Sequence, residues 1–259
     1  MFTKSLLGLV AAAGFMFAAS AANATVATYT DQSLYTSNNG GNIGIRDDVD
    51  WGLFSQAQGN STANNSSVAT GSTMTTSVGE KITATNGNSQ GFTVYQNGLT
   101  TGLPNTRWDG DFGVNTNVLS TQASSITLSF NGAITGFGIH AQTVLAGAYS
   151  FQIQAFNAAG GLIGTVTSSG TSTGRTSTSY NTAAFAGLTS TAGDISYVTI
   201  TATSNASSGF AIDTSLIYHF TNNQTSGNQS QQTPEPGTLA LLGAGLAALG
   251  AVRRRRQRA

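Results

Sequence analysis

The sequence predicts an all-β protein: a two-sheet sandwich of jelly-roll type, preceded by a signal peptide and followed by a single C-terminal hydrophobic helix. Three observations lead there. Short runs in the second half alternate apolar and polar residues at period two, the spacing of a half-buried strand, and almost none recur at 3.6. Clusters of Gly, Asn and Ser separate those runs. The chain has no cysteine, which removes disulfides, thiol catalysis and cysteine-based zinc sites, so stability has to come from ordinary core burial.

Residues 1–24 have the layout of an export signal. Lys4 gives a weakly positive start, an apolar stretch runs from Leu6 to about Ala19, and Ala22-Asn23-Ala24 supplies a small-x-small cleavage site for signal peptidase. The body should therefore begin near Thr25 and extend over 25–220, with 125–220 best defined. There ITLSF (126–130), GFGIHA (136–141), YSFQIQAF (149–156) and LIGTVT (162–167) are expected strands, the last two joined by a turn at Asn157–Gly161. ISYVTITA (195–202), GFAID (209–213) and LIYHF (216–220) complete the set. Earlier, ATYT (27–30), EKITAT (80–85) and GFTVY (91–95) are candidate strands, and the polar stretch from Gln56 to Ser77 reads as a long loop. Residues 221–233 contain no apolar side chain and cannot bury surface, so they read as a flexible linker ending the domain at Phe220.

Charge narrows the functional classes. Residues 25–220 hold four basic residues (Arg46, Lys81, Arg107, Arg175) against eight aspartates and Glu80, a formal net charge of −5. Such a body does not attract phosphate backbones, so nucleic acid is excluded as a partner.

Enzyme readings meet a sparse inventory. Beyond the signal segment there are two histidines, His140 and His219, both inside expected strands, and no Gly-x-Ser-x-Gly elbow. A glycosidase would have to draw on Glu80 and the aspartates. With no partners visible, each histidine reads as an ordinary strand residue and no catalytic residue is assigned. The body is expected not to be an enzyme. Aspartates form the remaining constellation: Asp47, Asp48 and Asp50; Asp109 and Asp111; and Asp213 at a strand end. Asp109, Asp111 and Asp213 are weak candidates for a structural Ca²⁺, which takes six to eight oxygen ligands. Turn capping is the favoured role for them, and no cofactor is assigned. Trp51 and Trp108 adjoin the acidic clusters; exposed they would suit a sugar face, buried they are core, and core is favoured.

The end of the chain is more specific. Pro234-Glu235-Pro236-Gly237 keeps the backbone extended. Thr238–Val252 is then uncharged, roughly 22 Å as a helix against a ~30 Å hydrocarbon core. Arg253, Arg254, Arg255 and Arg256 follow and act as a stop-transfer cluster with the basic end cytoplasmic. This order over 234–259 resembles the PEP-CTERM sorting signal of Gram-negative bacteria. The resemblance implies that exosortase, a membrane-embedded transpeptidase-like enzyme, recognises residues 234–237 and removes the helix, and that the protein accompanies exopolysaccharide and biofilm matrix. The expected course is export, a transient inner-membrane precursor, then the cell surface or matrix, with extracellular polysaccharide as a partner. A weaker resemblance, carried by DDVDWG (47–52), WDGDFG (108–113), the 146–165 run and GFAID (209–213), links the body to extracellular sandwich domains that precede this tail. Their activity is generally undefined. Alternatives to a non-catalytic surface protein are a carbohydrate-binding module with aromatics lining a groove, and a hydrolase in which a histidine meets carboxylates.

Overall fold

The computed structural model describes residues 25–39, 45–57, 66–87, 90–96, 112, 116–172, 183–204, 209–213 and 215–219. The signal segment, the linker, the sorting tail, Asp109, Asp111 and Trp108 lie outside them. In chain order the elements are β1 (Val26–Tyr29), α1 (Gln32–Asn39), β2 (Ile45–Val49), α2 (Gly52–Ala57), β3 (Ser66–Val68), β4 (Ser72–Thr75), β5 (Lys81–Asn86) and β6 (Phe92–Gln96). There follow β7 (Asn117–Thr121), β8 (Ser125–Ile134), β9 (Gly136–Thr143), β10 (Gly147–Phe156), β11 (Leu162–Ser172), β12 (Ala184–Ser190), β13 (Ile195–Ser204), β14 (Phe210–Ile212) and β15 (Ser215–His219).

Among the described residues these strands make two antiparallel sheets, of nine and six strands. One runs β1-β12-β9-β14-β7-β6-β3, with β15 pairing both β9 and β2; the other runs β11-β10-β13-β8-β5-β4. The core lies between them. On β10, Tyr149, Phe151, Ile153 and Ala155 point inward and are buried, while Ser150, Gln152 and Gln154 point out. They meet Phe137, Ile139, Leu188, Phe210 and Ile217 of the nine-stranded sheet in one continuous cluster, each large side chain contributing about 1.5–3 kcal/mol by leaving water. The expected turn after β10 forms as well. Asn157 accepts the Ala159 and Gly161 amides on its side-chain oxygen (3.1 and 2.8 Å), and Gly160 takes the left-handed φ of 81°.

Five strands and both helices were not expected, and the strands have identifiable reasons. β7 and β12 are buried on both faces over most of their length, so they do not alternate. β2 carries Asp47 at an inward position between Ile45 and Val49, which breaks the apolar rhythm. The polar stretch read as a loop contains β3 and β4, whose Val68 and Met74 are the inward residues. α1 is short and depends on local contacts. Asp31 caps it by accepting the Ser33 and Leu34 amides (2.7 and 3.3 Å), which hold its carboxyl below the usual range, the Ser33 hydroxyl bond being the larger cause. Its Tyr35 ring lies flat on a glycine alley: a Cβ at Gly187 would sit 2.8 Å from Tyr35 Cδ2, and one at Gly138 2.8 Å from Cε1. Tyr35, Phe185, Leu216 and Tyr218 thus form a second small core outside the nine-stranded sheet.

Candidate functional site

The aspartate at the end of β14 has a backbone reason to be there. Ile212 pairs with Ala141 and Leu216 with Gly138, so this segment advances one residue more than β9 between those rungs. That is the geometry of a β-bulge, which leaves a ladder position without its regular partner. Asp213 fills it: its Oδ1 accepts the His140 amide (3.1 Å), and its own amide donates to the His140 carbonyl (3.2 Å). Oδ2 lies 3.2 Å from His140 Nδ1, and the Asp213 carbonyl accepts the indole N–H of Trp51. The imidazole rests edge-on against Phe185, ring centres 5.1 Å apart. Asp213 therefore joins β9, β14 and the Trp51 turn where the nine-stranded sheet forks towards β7 and β2.

The second histidine also meets a carboxylate. His219 Nδ1 is 4.0 Å from Glu80 Oε2, and Glu80 Oε1 accepts the Gly132 amide at 3.0 Å. Asp47 stands on the same inward face of the β2–β15 pair as His219, since Asp47 faces Ile217 and Ile45 faces His219. Its Oδ1 accepts the Ser77 hydroxyl (3.2 Å), whereas Asp47 Oδ2 and His219 Nε2 are buried and have no hydrogen-bond partner among the described residues.

Both histidines stand in strands as expected, and these contacts add carboxylate partners that the sequence does not show. Strand periodicity does not show carboxylates brought from across the fold, 73 residues away for His140 and directly before β5 of the other sheet for His219. Neither histidine, however, is hydrogen-bonded to a serine or threonine hydroxyl among the described residues, so neither dyad extends to an activated nucleophile. Among the described residues no three His, Cys, Asp or Glu side chains come together in a way that could hold a metal ion. Of the calcium candidates, Asp213 is committed to the bulge and Asp109 and Asp111 lie outside the described residues. Asp48 is held by Arg46 in a two-pronged surface pair (2.5 and 2.8 Å), which also pushes the guanidinium further up. Asp50 caps the turn into α2 through the Gly52 amide and accepts from Asn117 (2.9 and 2.6 Å). Trp51 is fully buried and stacked on Phe54, so it is core and not part of a sugar groove. Among the described residues no helix is long and apolar enough to cross a membrane.

One feature that the motif reading passed over is the outer face of the six-stranded sheet. Its rungs carry hydroxyl and carboxamide side chains bonded across strands: Thr73 to Thr83 (2.8 Å), Thr127 to Thr199 (3.1 Å) and Ser150 to Thr203 (2.7 Å). At one end Phe156 and Tyr197 stack at 4.8 Å with 9° between their planes. The signal was present as the polar half of each alternation, such as Ser150, Gln152 and Gln154.

The body is thus an all-β two-sheet protein whose carboxylate–histidine pairs sit within its framework. Beyond it, residues 232–256 match the PEP-CTERM protein-sorting motif, so the chain carries that signal at its C-terminal end. The motif marks it as a substrate for exosortase and for export to the cell envelope or surface. No curated protein matches the chain. Among solved structures it is similar to the enzymatically active domain of Bacteriophage CBA120 tailspike protein 4, at 16% identity and a TM-score of 0.26, over 55% of this chain and 19% of that one. The chain spans less than a fifth of that protein, and a likeness at this level carries no argument.

Proposed function

We propose that this is an exported, exosortase-processed protein of the cell surface or extracellular matrix, whose body works by binding rather than catalysis in company with exopolysaccharide. The sorting motif at 232–256 is the observation that carries the reading. The charge pattern of the ends supports it: a signal segment cleaved after Ala24, then Thr238–Val252 held transiently in the inner membrane with the arginines cytoplasmic. The non-catalytic part is supported by the use of Asp213 as a backbone substitute at a bulge and by histidines that meet no hydroxyl partner among the described residues. A jelly roll suits a binding body, because such sandwiches include lectin domains. Strands β7 to β14 visit the two sheets in the alternation of that fold, with neighbour orders β12-β9-β14-β7 and β11-β10-β13-β8.

Mass spectrometry of the protein from a host with exosortase tests this. The expected mature chain begins at Thr25 and lacks residues 237–259, and replacing Pro234-Glu235-Pro236 with alanines leaves uncleaved protein in the inner membrane. A mature protein that keeps residues 237–259 would replace sorting with a plain membrane anchor.

A further inference from the structure

We propose that the outer face of the six-stranded sheet is a docking surface for a neutral, hydroxyl-rich polysaccharide chain. This rests on the surface-protein reading above and gives its partner a chemistry and a place. One rung crosses five strands as Thr165, Gln154, Thr199, Thr127 and Thr85. At about 4.8 Å per strand it is ~19 Å long, enough for several sugar residues. The next rung repeats the pattern with Thr167, Gln152, Thr201 and Ser125. On the other side lies an apolar rung: Leu162, 57% exposed, then Phe156 and the half-buried Tyr197.

Three physical features select the partner. Each hydroxyl and carboxamide both donates and accepts, matching sugar hydroxyls, which do the same. The threonines are stiff at χ1 and several are tied across strands, so little side-chain freedom is lost on binding. The Phe156–Tyr197 stack offers an apolar platform for the C–H face of a pyranose ring. Charge sets the remaining choice: among the described residues Lys81, at the start of β5, is the single charged side chain on this face, and the body is acidic. A polyanion would find no cationic row to pair with and would be repelled by the body, whereas a neutral glucan loses nothing.

The test is native electrophoresis of the purified full-length protein through gels holding hydroxyethyl cellulose, laminarin or alginate. Retardation is expected from at least one of the two neutral glucans and not from alginate. The exposed pair Thr165→Glu/Thr167→Glu should weaken it at least tenfold, Tyr197→Ala should also weaken it, and Thr28→Glu on β1 of the other sheet should not. Thermal melts of each variant show that the fold persists. No retardation by either glucan, equal retardation in alginate, or undiminished binding by both face variants would overturn the proposal. So would self-association without glucan that the same variants abolish, which would give the face to a second copy. Tail processing is read by mass, so failure here leaves the sorting reading standing, and the reverse.

Discussion

Replacing Asp213 tests whether its carboxylate holds the fold or is available for chemistry. Asp213→Ala removes the acceptor of the His140 amide at 3.1 Å and the partner of its imidazole at 3.2 Å, in a site where both side chains are largely buried. The amide and the imidazole then lose their common acceptor in a largely buried site, each at about 1–3 kcal/mol, together about 3–5 kcal/mol. Asp213→Asn keeps an oxygen for the amide and loses only the charge, so about 1–2 kcal/mol is expected, closer to an ordinary hydrogen bond to a charged group. In a domain of this size the alanine variant should melt roughly 6–20 °C lower. Urea unfolding of both variants at neutral pH measures the difference, with equal slopes confirming that only stability has changed. If Asp213→Ala unfolds at the wild-type midpoint, the bulge does not depend on the carboxylate and a ligand-binding role for it reopens.

Further predictions follow from burial. Ile153→Asp places an unpaired carboxylate in the core and should abolish folding, whereas Gln152→Asp, one residue along and facing outward, should shift the urea midpoint little; similar behaviour of the two would mean the strand faces are misassigned. Gly187→Ala pushes a methyl against the Tyr35 ring and should destabilise by about 1–3 kcal/mol, with part of that loss recovered in a Tyr35→Ala background, since the clashing ring is gone. Burial, then the neighbouring Tyr218 and Tyr29, pushes the Tyr35 phenol well above its ordinary value. The folded state therefore keeps a proton that the unfolded chain loses above about pH 10, so this stability is complete below that pH and declines above it. Tyr35→Phe should flatten the alkaline decline in urea midpoint, and parallel curves for the two proteins would remove Tyr35 as its source.

Where one face of a strand meets the core and the other meets water, the sequence was legible. β8, β10 and β13 show this, their inward residues being those that alternation selects. It failed where that condition fails. β12 has the sandwich core on one face and α1 on the other, so Phe185 and Leu188 are both buried and the period-two signal disappears. Gly136, Gly138 and Gly187 look like punctuation in the sequence, but they are clearances for Tyr35, Phe185 and Thr189 brought in from other segments. The sorting motif was legible for the opposite reason: its order of prolines, apolar run and arginines is local and needs no tertiary contact. Asp213 falls between these cases. Its place at a strand end was visible, but its role depends on a one-residue mismatch between distant strands.

The place where the chain leaves the body predicts how well sorting and folding separate. β15 lies within the nine-stranded sheet, bonded to β9 on one side and β2 on the other, and buries Leu216, Ile217 and Tyr218. Its last described rung is His219 opposite Ile45. Ending the chain after Thr233 leaves every described strand intact, so the melting temperature of the 25–233 protein should lie within about 2 °C of the longer form, the scale of a surface change. Ending it after Asp213 removes β15 with those three apolar side chains, strips β9 and β2 of a common neighbour and uncovers the core that β15 packs on, so no cooperative melt is expected. Circular dichroism melts of the two truncations against the uncut protein provide the comparison. If the cut after Thr233 lowers the melting temperature as strongly as the cut after Asp213, residues beyond the sheet contribute to the body, and exosortase cleavage would be a step in its folding as well as in its delivery.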